Sequence, residues 1–356
     1  MTSSHDGRAG TAAAGVAVAA PGVSSPPGRR GSGVPLTERI LARLPGPRLT
    51  CMLIWALVPW LNLGAVYVWG AAEWAGTATI PAGEVLNRAA VSCAILLSLW
   101  GAARITDDLR RVGMALAEVV EQDERDVWAL FRGVDSTVAP LLLTAVGVLV
   151  LPLDEALTGA PLAAVIQAAT WVIIGIPLWT AVWVYLTLQR GFDRLGRGRL
   201  TLLGYRGDRS LGLRPVGRLA FTGFWMLIGS VGPLVLTNAS DPPGVILGVV
   251  VLAVGVGLFF LSLRRLNRRM VAVKQRELTV ARDLYMQAYE KVRDQPTLEV
   301  LQGQIGLLNA AEALEKRAER IQEWPFDDAT FARVVTIASS AAATIIARFL
   351  LDPIGL

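Results

Sequence analysis

Charge is scarce in this chain. Asp, Glu, Lys and Arg make up only 18% of its 356 residues against 53% hydrophobic residues, a composition that belongs to membrane proteins rather than soluble domains. Histidine is almost missing. The single one, His5, lies in an Ala/Gly/Ser/Pro-rich stretch, so histidine acid–base chemistry and His-ligated metal sites are excluded. The two cysteines, Cys51 and Cys93, lie in separate apolar segments and imply no disulfide framework. Lysine is nearly absent too. Of 34 basic residues only Lys274, Lys291 and Lys316 are not arginine, which, with abundant Ala, Gly and Pro, suggests a GC-rich bacterial genome.

Recognisable chemistry is also missing. The chain has no Walker A loop, dinucleotide fingerprint, nucleophile elbow or HExxH. It also has no hydrophilic segment large enough for a conventional active site. No cofactor, metal or catalytic constellation is implied, and the expectation is a non-enzyme.

What is present is a series of apolar runs. Thr50–Ala71, Val85–Ala103, Ser136–Leu153, a run within Ala156–Gln189, Leu219–Thr237 and Gly244–Leu263 can each approach the ~20 residues that a bilayer requires. The 34-residue uncharged run from Ala156 to Gln189 exceeds one span, so its helix is tilted or starts after Pro161. Arginine decides orientation. Six Lys/Arg residues precede the first run, five separate the second and third, eight the fourth and fifth, and 13 lie from Arg264 to Arg333. The connections Asp154–Pro161 and Asn238–Pro243 carry none. By the positive-inside rule the N-terminus is cytoplasmic, with Arg88 the exception.

The expected fold is therefore an all-α integral membrane protein of the cytoplasmic membrane. It has six or seven transmembrane helices and a cytoplasmic helical hairpin bundle. Its parts are a disordered cytoplasmic tail (1–49), two spans (50–104), a cytoplasmic amphipathic helix (105–135), two spans (136–188), an Arg/Gly-rich cytoplasmic loop (189–218), two spans (219–263), the hairpin (264–323), and an aromatic turn with a seventh span (324–356). The seventh is the least determined. Val334–Ala347 is uncharged but short; the geometry of the returning hairpin favours spanning over a surface-lying helix.

The hairpin follows from helix-forming sequence that runs on past Arg264, Arg265, Arg268 and Arg269, breaks at Asp294-Gln295-Pro296-Thr297 and resumes. The second arm places Leu298, Leu301, Ile305, Leu308, Ala311, Leu314, Ala318 and Ile321 at steps of three and four. They form a candidate docking face, on which polar substitutions at Leu301 and Leu308 are expected to disrupt assembly. Ile105, Leu109, Val112 and Leu116 recur at helical spacing, and this helix is expected to pack with the hairpin beneath the membrane.

Within the spans, Gly244, Gly248, Gly255 and Ser262 form a small-residue stripe, suited to packing inside the protein or to a homo-oligomer seam. Asn62, Gln167, Thr170 and Thr180 are the polar groups at membrane depth. They either bond between helices or line a path. No Asp, Glu, Lys or Arg lies deep in a strong span, which argues against an ion-coupled transporter. Asp154 and Glu155 read as a solvated turn. The Arg190–Arg218 stretch, with eight arginines and no aromatic stacking pattern, suits anionic lipid and not nucleic acid.

Glu323-Trp324-Pro325-Phe326-Asp327 followed by an apolar helix resembles a segment near the C-terminus of uncharacterised polytopic prokaryotic membrane proteins. The resemblance covers about the last 35 residues. It implies a shared architecture and a seventh span, and carries no activity. Trp324 and Phe326 themselves read as interfacial aromatics. Two function classes follow. One is a non-enzymatic scaffold, sensor or accessory subunit that meets a protein partner or a second copy through the bundle. The other is an oligomeric channel or passive facilitator gated by it.

Overall fold

A computed structural model describes residues 34–64, 82–120, 129–150, 161–198, 209–237 and 242–327, with isolated positions between 329 and 343. Among the described residues the chain is helical, without strands. Eight helices are named here: α1 (Leu36–Leu41), α2 (Arg48–Ala56), α3 (Ala82–Val120), α4 (Val138–Val150), α5 (Pro161–Arg197), α6 (Arg214–Thr237), α7 (Pro242–Asp294) and α8 (Leu298–Glu319).

Four of them are long and apolar enough to cross a membrane: α3, α5, α6 and α7. Two shorter apolar helices, Arg48–Gly64 and Val138–Leu149, accompany them. Helix α5 starts at Pro161 and takes up only part of the uncharged run. Proline suits that first position, where the missing N–H would have no partner in any case. Pro177 lies inside α5 and cannot donate to the carbonyl four residues back. That carbonyl, on Ile173, instead accepts the Trp55 indole N–H at 2.7 Å. The defect in one helix thereby ties α2 to α5.

The main core lies between α3, α5, α6 and the middle of α7. Tyr185, Phe192, Phe224 and Phe259 are its largest fully buried side chains. Close approach is provided by small residues on α7. A Cβ on Gly248 would lie 2.2 Å from Val235, and one on Gly255 would lie 2.2 Å from Leu227. The Gly255 carbonyl accepts the Tyr185 hydroxyl at 2.6 Å, and Ser262 donates to the Gln189 side-chain oxygen. Three members of the small-residue stripe therefore face α5 and α6 of their own chain. The surroundings of Gly244 lie outside the described residues.

The tail expected up to residue 49 needs correcting over its last third. Leu36, Thr37 and Leu41 of α1 are buried against neighbouring helices. Arg39 donates to the carbonyls of Val34 and Asp135. Leu36, Ile40 and Leu41, four and five residues apart around Glu38 and Arg39, are enough for a one-sided helix once a surface exists to receive it. Residues 1–33, the loop 199–208, Asp154, Glu155 and most of the expected seventh span (331–351) lie outside the described residues.

Helix α7 is the longest element, 53 residues or about 80 Å. It passes the arginine belt without interruption. Phe259, Leu263, Leu266 and Met270 continue one buried stripe through Arg264–Arg269, while Arg265 turns outward to Asp193 at 3.1 Å. Beyond Met270 it pairs with α8. The chain turns after Asp294 and α8 opens at Thr297, whose hydroxyl caps Val300 N–H at 3.3 Å.

Candidate functional site

Two places on the molecule combine unusual side chains with access: the projecting hairpin and a cavity at its root.

The hairpin is closed by alanine. Ala281 and Ala288 on α7, and Ala311 and Ala318 on α8, are 0–2% exposed. Each pair is seven residues apart, two helical turns, so each forms a ridge that lets the backbones approach closely. Leu308 and Leu314 are half-buried in this seam and Ile321 is fully buried at its base. The other half of the expected docking face points elsewhere: Leu298, Leu301 and Ile305 are 73%, 42% and 46% exposed. Counting ~100° per residue from the alanine ridges places Tyr285 and Tyr289 of α7 on the same flank. Arg282, which reaches Glu315 at 3.5 Å, marks that flank independently. The two tyrosine rings stack at 6.3 Å and are each 48% exposed. Large apolar side chains thus occupy one flank near the tip, while the seam beneath them is filled by methyl groups.

Between the helix expected over 105–135 and the hairpin, contact among the described residues is confined to the root. Ile105, Leu109, Val112 and Leu116 share a core with Met270, Ile321 and Phe326. Further out, among the described residues, α8 packs substantially on α7 alone. The hairpin's own stripe is divided: Leu308, Leu314 and Ile321 are used within it, and Leu298, Leu301 and Ile305 are exposed.

The root is held by the aromatic turn. Phe326 is buried, stacked against Phe259 at 6.0 Å and Trp324 at 5.7 Å; Trp324 meets Phe260 edge-on at 5.9 Å. Glu323 takes a hydrogen bond from Asn267 to its carbonyl (2.8 Å) and from Lys274 to its carboxylate (3.0 Å). Trp324 and Phe326, expected as interfacial anchors, here clamp the returning arm to α7. Gly217 makes the clamp possible: a Cβ there would lie 1.9 Å from the Pro325 carbonyl oxygen.

Beside this turn opens a cavity of about 490 Å³, walled by α3, α6 and the turn itself. Asp108, Arg111, Arg214, Arg218, Phe221 and Asp327 line it. Asp108 is buried. One carboxylate oxygen accepts the Thr222 hydroxyl at 2.9 Å and lies 4.0 Å from Arg104. The other is 3.7 Å from Arg218, too long for a hydrogen bond, and has no hydrogen-bond partner among the described residues. A buried charged acceptor left unfilled costs roughly 1–3 kcal/mol or more.

The sequence missed this group, although a signal was there. Asp108 falls three residues after Ile105 and four before Val112, on the apolar stripe itself, where a carboxylate must find partners. Of the intramembrane polar candidates, Thr170 donates to the Ile166 carbonyl of its own helix at 2.9 Å. Asn62 and Thr180 are buried with side-chain atoms unpaired among the described residues. The side chain of Gln167 lies outside them. None of Asn62, Thr170 and Thr180 lines the cavity.

Helices, a membrane-length core and a projecting hairpin define the class as a helical protein with apolar, membrane-compatible helices. Beyond that class, no family model, curated protein or solved structure matches the chain.

Proposed function

We propose that this is a non-enzymatic, multi-pass protein of the cytoplasmic membrane, with its N-terminus inside. In this reading it serves as a scaffold, sensor or accessory subunit that presents the hairpin flank to a protein partner. The observation that carries this reading is the inversion within the hairpin. Alanine fills the seam, and Tyr285, Tyr289, Leu298, Leu301 and Ile305 are left on the outside. A contiguous exposed apolar patch is a mark of interaction surfaces, and tyrosine is enriched there. The arginine distribution supports the orientation and contact with anionic lipid. In this reading the shorter helices Arg48–Gly64 and Val138–Leu149 are the first and third spans, and 331–351 supplies the seventh.

The test is the mass of the intact particle after gentle extraction from native membranes. Wild type is expected to carry a second protein in fixed stoichiometry. The double variant Leu301→Asp/Ile305→Asp is expected to lose it while keeping wild-type helicity. Leu308 is unsuitable for this purpose, because its place in the hairpin seam makes it report folding. A wild-type homo-oligomer with no second protein would instead favour the channel reading, for which the unpaired amide of Asn62 is the supporting observation.

A further inference from the structure

We propose that the cavity at the root of the hairpin binds a phosphate ester that carries a primary ammonium, the chemistry of a phosphatidylethanolamine headgroup. Three features of the cavity specify that ligand. Arg111, Arg214 and Arg218 face it from two helices, and guanidinium groups match phosphate oxygens in geometry and charge. Asp108 lines the same wall, and its buried Oδ1, 3.7 Å from Arg218, has no hydrogen bond among the described residues; Asp327 adds a second carboxylate. A simple anion would meet these acids unfavourably, and a simple cation would meet the arginines. A dipolar molecule satisfies both, with its phosphate on the arginines and its ammonium donating to Asp108. Finally, the volume of about 490 Å³ lies in the range of small-ligand sites, and Val112, Phe221 and Phe326 give it an apolar side for the ester's carbons.

The site lies where arginines succeed the apolar part of α3 and precede that of α6, the level of phosphate groups if these helices span. Its chemistry does not depend on what the hairpin flank binds. One wall is the Pro325–Asp327 segment that anchors the hairpin, so an occupant would brace the root from below.

The experiment is a thermal-unfolding titration of the full chain in neutral-detergent micelles. The probes are phosphatidylethanolamine, phosphatidylglycerol (phosphate without ammonium), phosphatidylcholine (ammonium without N–H donors) and free phosphoethanolamine. Phosphatidylethanolamine is expected to stabilise saturably, with the other two lipids at least about tenfold weaker for lack of the charge-assisted hydrogen bond. Asp108→Asn, which keeps an acceptor for Thr222, should erase the preference for ethanolamine over glycerol. Arg111→Gln, an exposed position, should weaken every phosphate lipid together and decides the matter if the Asp108 variant fails to fold. Free phosphoethanolamine acting as strongly as the lipid would confirm the ligand chemistry and assign a soluble source. Equal effects of phosphatidylethanolamine and phosphatidylglycerol on wild type, no effect of any probe, or an unchanged Arg111→Gln response would overturn the proposal.

Discussion

Helix α7 belongs to two regions built by opposite rules. From Gly248 to Met270 it encloses Phe259, Leu263, Leu266 and Met270 fully, uses glycine to let neighbours in, and turns Val250, Val254 and Leu261 outward. From Val273 to Asp294 it buries Ala281 and Ala288 and leaves Tyr285, Met286 and Tyr289 about half exposed. One continuous helix therefore changes its packing logic within a few turns. The first half is satisfied by α5 and α6. The second meets, among the described residues, one partner helix across a seam ridged by alanine that also takes in Leu278, and it leaves Tyr285, Met286 and Tyr289 outside that seam. Stability resides in the root, and surface available to others resides in the tip.

That contrast can be broken from either side. The largest effect is expected at the root. Phe326→Ala removes a ring stacked on both Phe259 and Trp324 and should cost about 3–5 kcal/mol. Thermal unfolding would show it as a lower transition, and hydrogen exchange should rise around 259–270 as well as in the hairpin. In the tip, Ala288→Leu forces a large side chain into the alanine seam and should cost about 1–3 kcal/mol. There, hydrogen exchange should rise between 275 and 318 and leave the root as in wild type. Spread of the exchange into α5 and α6 would mean that tip and root are one cooperative unit.

The smallest effect concerns surface charge on α8. Lys316 hydrogen-bonds Glu312 one turn before it at 2.6 Å, holding that carboxyl below its ordinary range and the ammonium above its own. The carboxylate contribution is present above the unfolded pKa of Glu and is lost as pH falls through the lowered folded value. The ammonium contribution is present below the unfolded pKa of Lys and is lost as pH rises through the raised one. Hairpin stability should therefore be flat from about pH 5 to 9 as far as this pair is concerned. The Lys316→Ala variant should unfold with wild type in that window, because an exposed ion pair contributes little.

How much of this was legible in the sequence depended on which physical signal carried it. The long uncharged runs and the Asp294–Thr297 break were readable because backbone chemistry is local: proline and a threonine cap act where they stand. The helical spacing of α8 was readable too, but not its division. Leu301 and Leu308 sit seven residues apart and look equivalent along the chain. Which one faces α7 is decided by the depth of the alanine ridges opposite, a tertiary fact. Along the chain the aromatic turn reads as an interfacial anchor, since Trp and Phe favour that zone. Its clamping role depends on Gly217, 108 positions away in the chain, leaving room for Pro325. Asp108 was hidden for the opposite reason. Asp107 and Asp108 beside Arg104, Arg110 and Arg111 look like the charged side of an amphipathic helix until burial removes the water around Asp108.

The most direct test of the central claim uses a photo-crosslinking residue at Tyr289 in living cells, with the same probe at Val280 as control. Both positions are about half exposed on α7, but by helical rotation Val280 lies on the opposite flank. The account predicts a discrete crosslinked protein from position 289, absent from position 280 and abolished by Leu301→Asp/Ile305→Asp. Crosslinks of equal pattern from both flanks, or none from either, would contradict it.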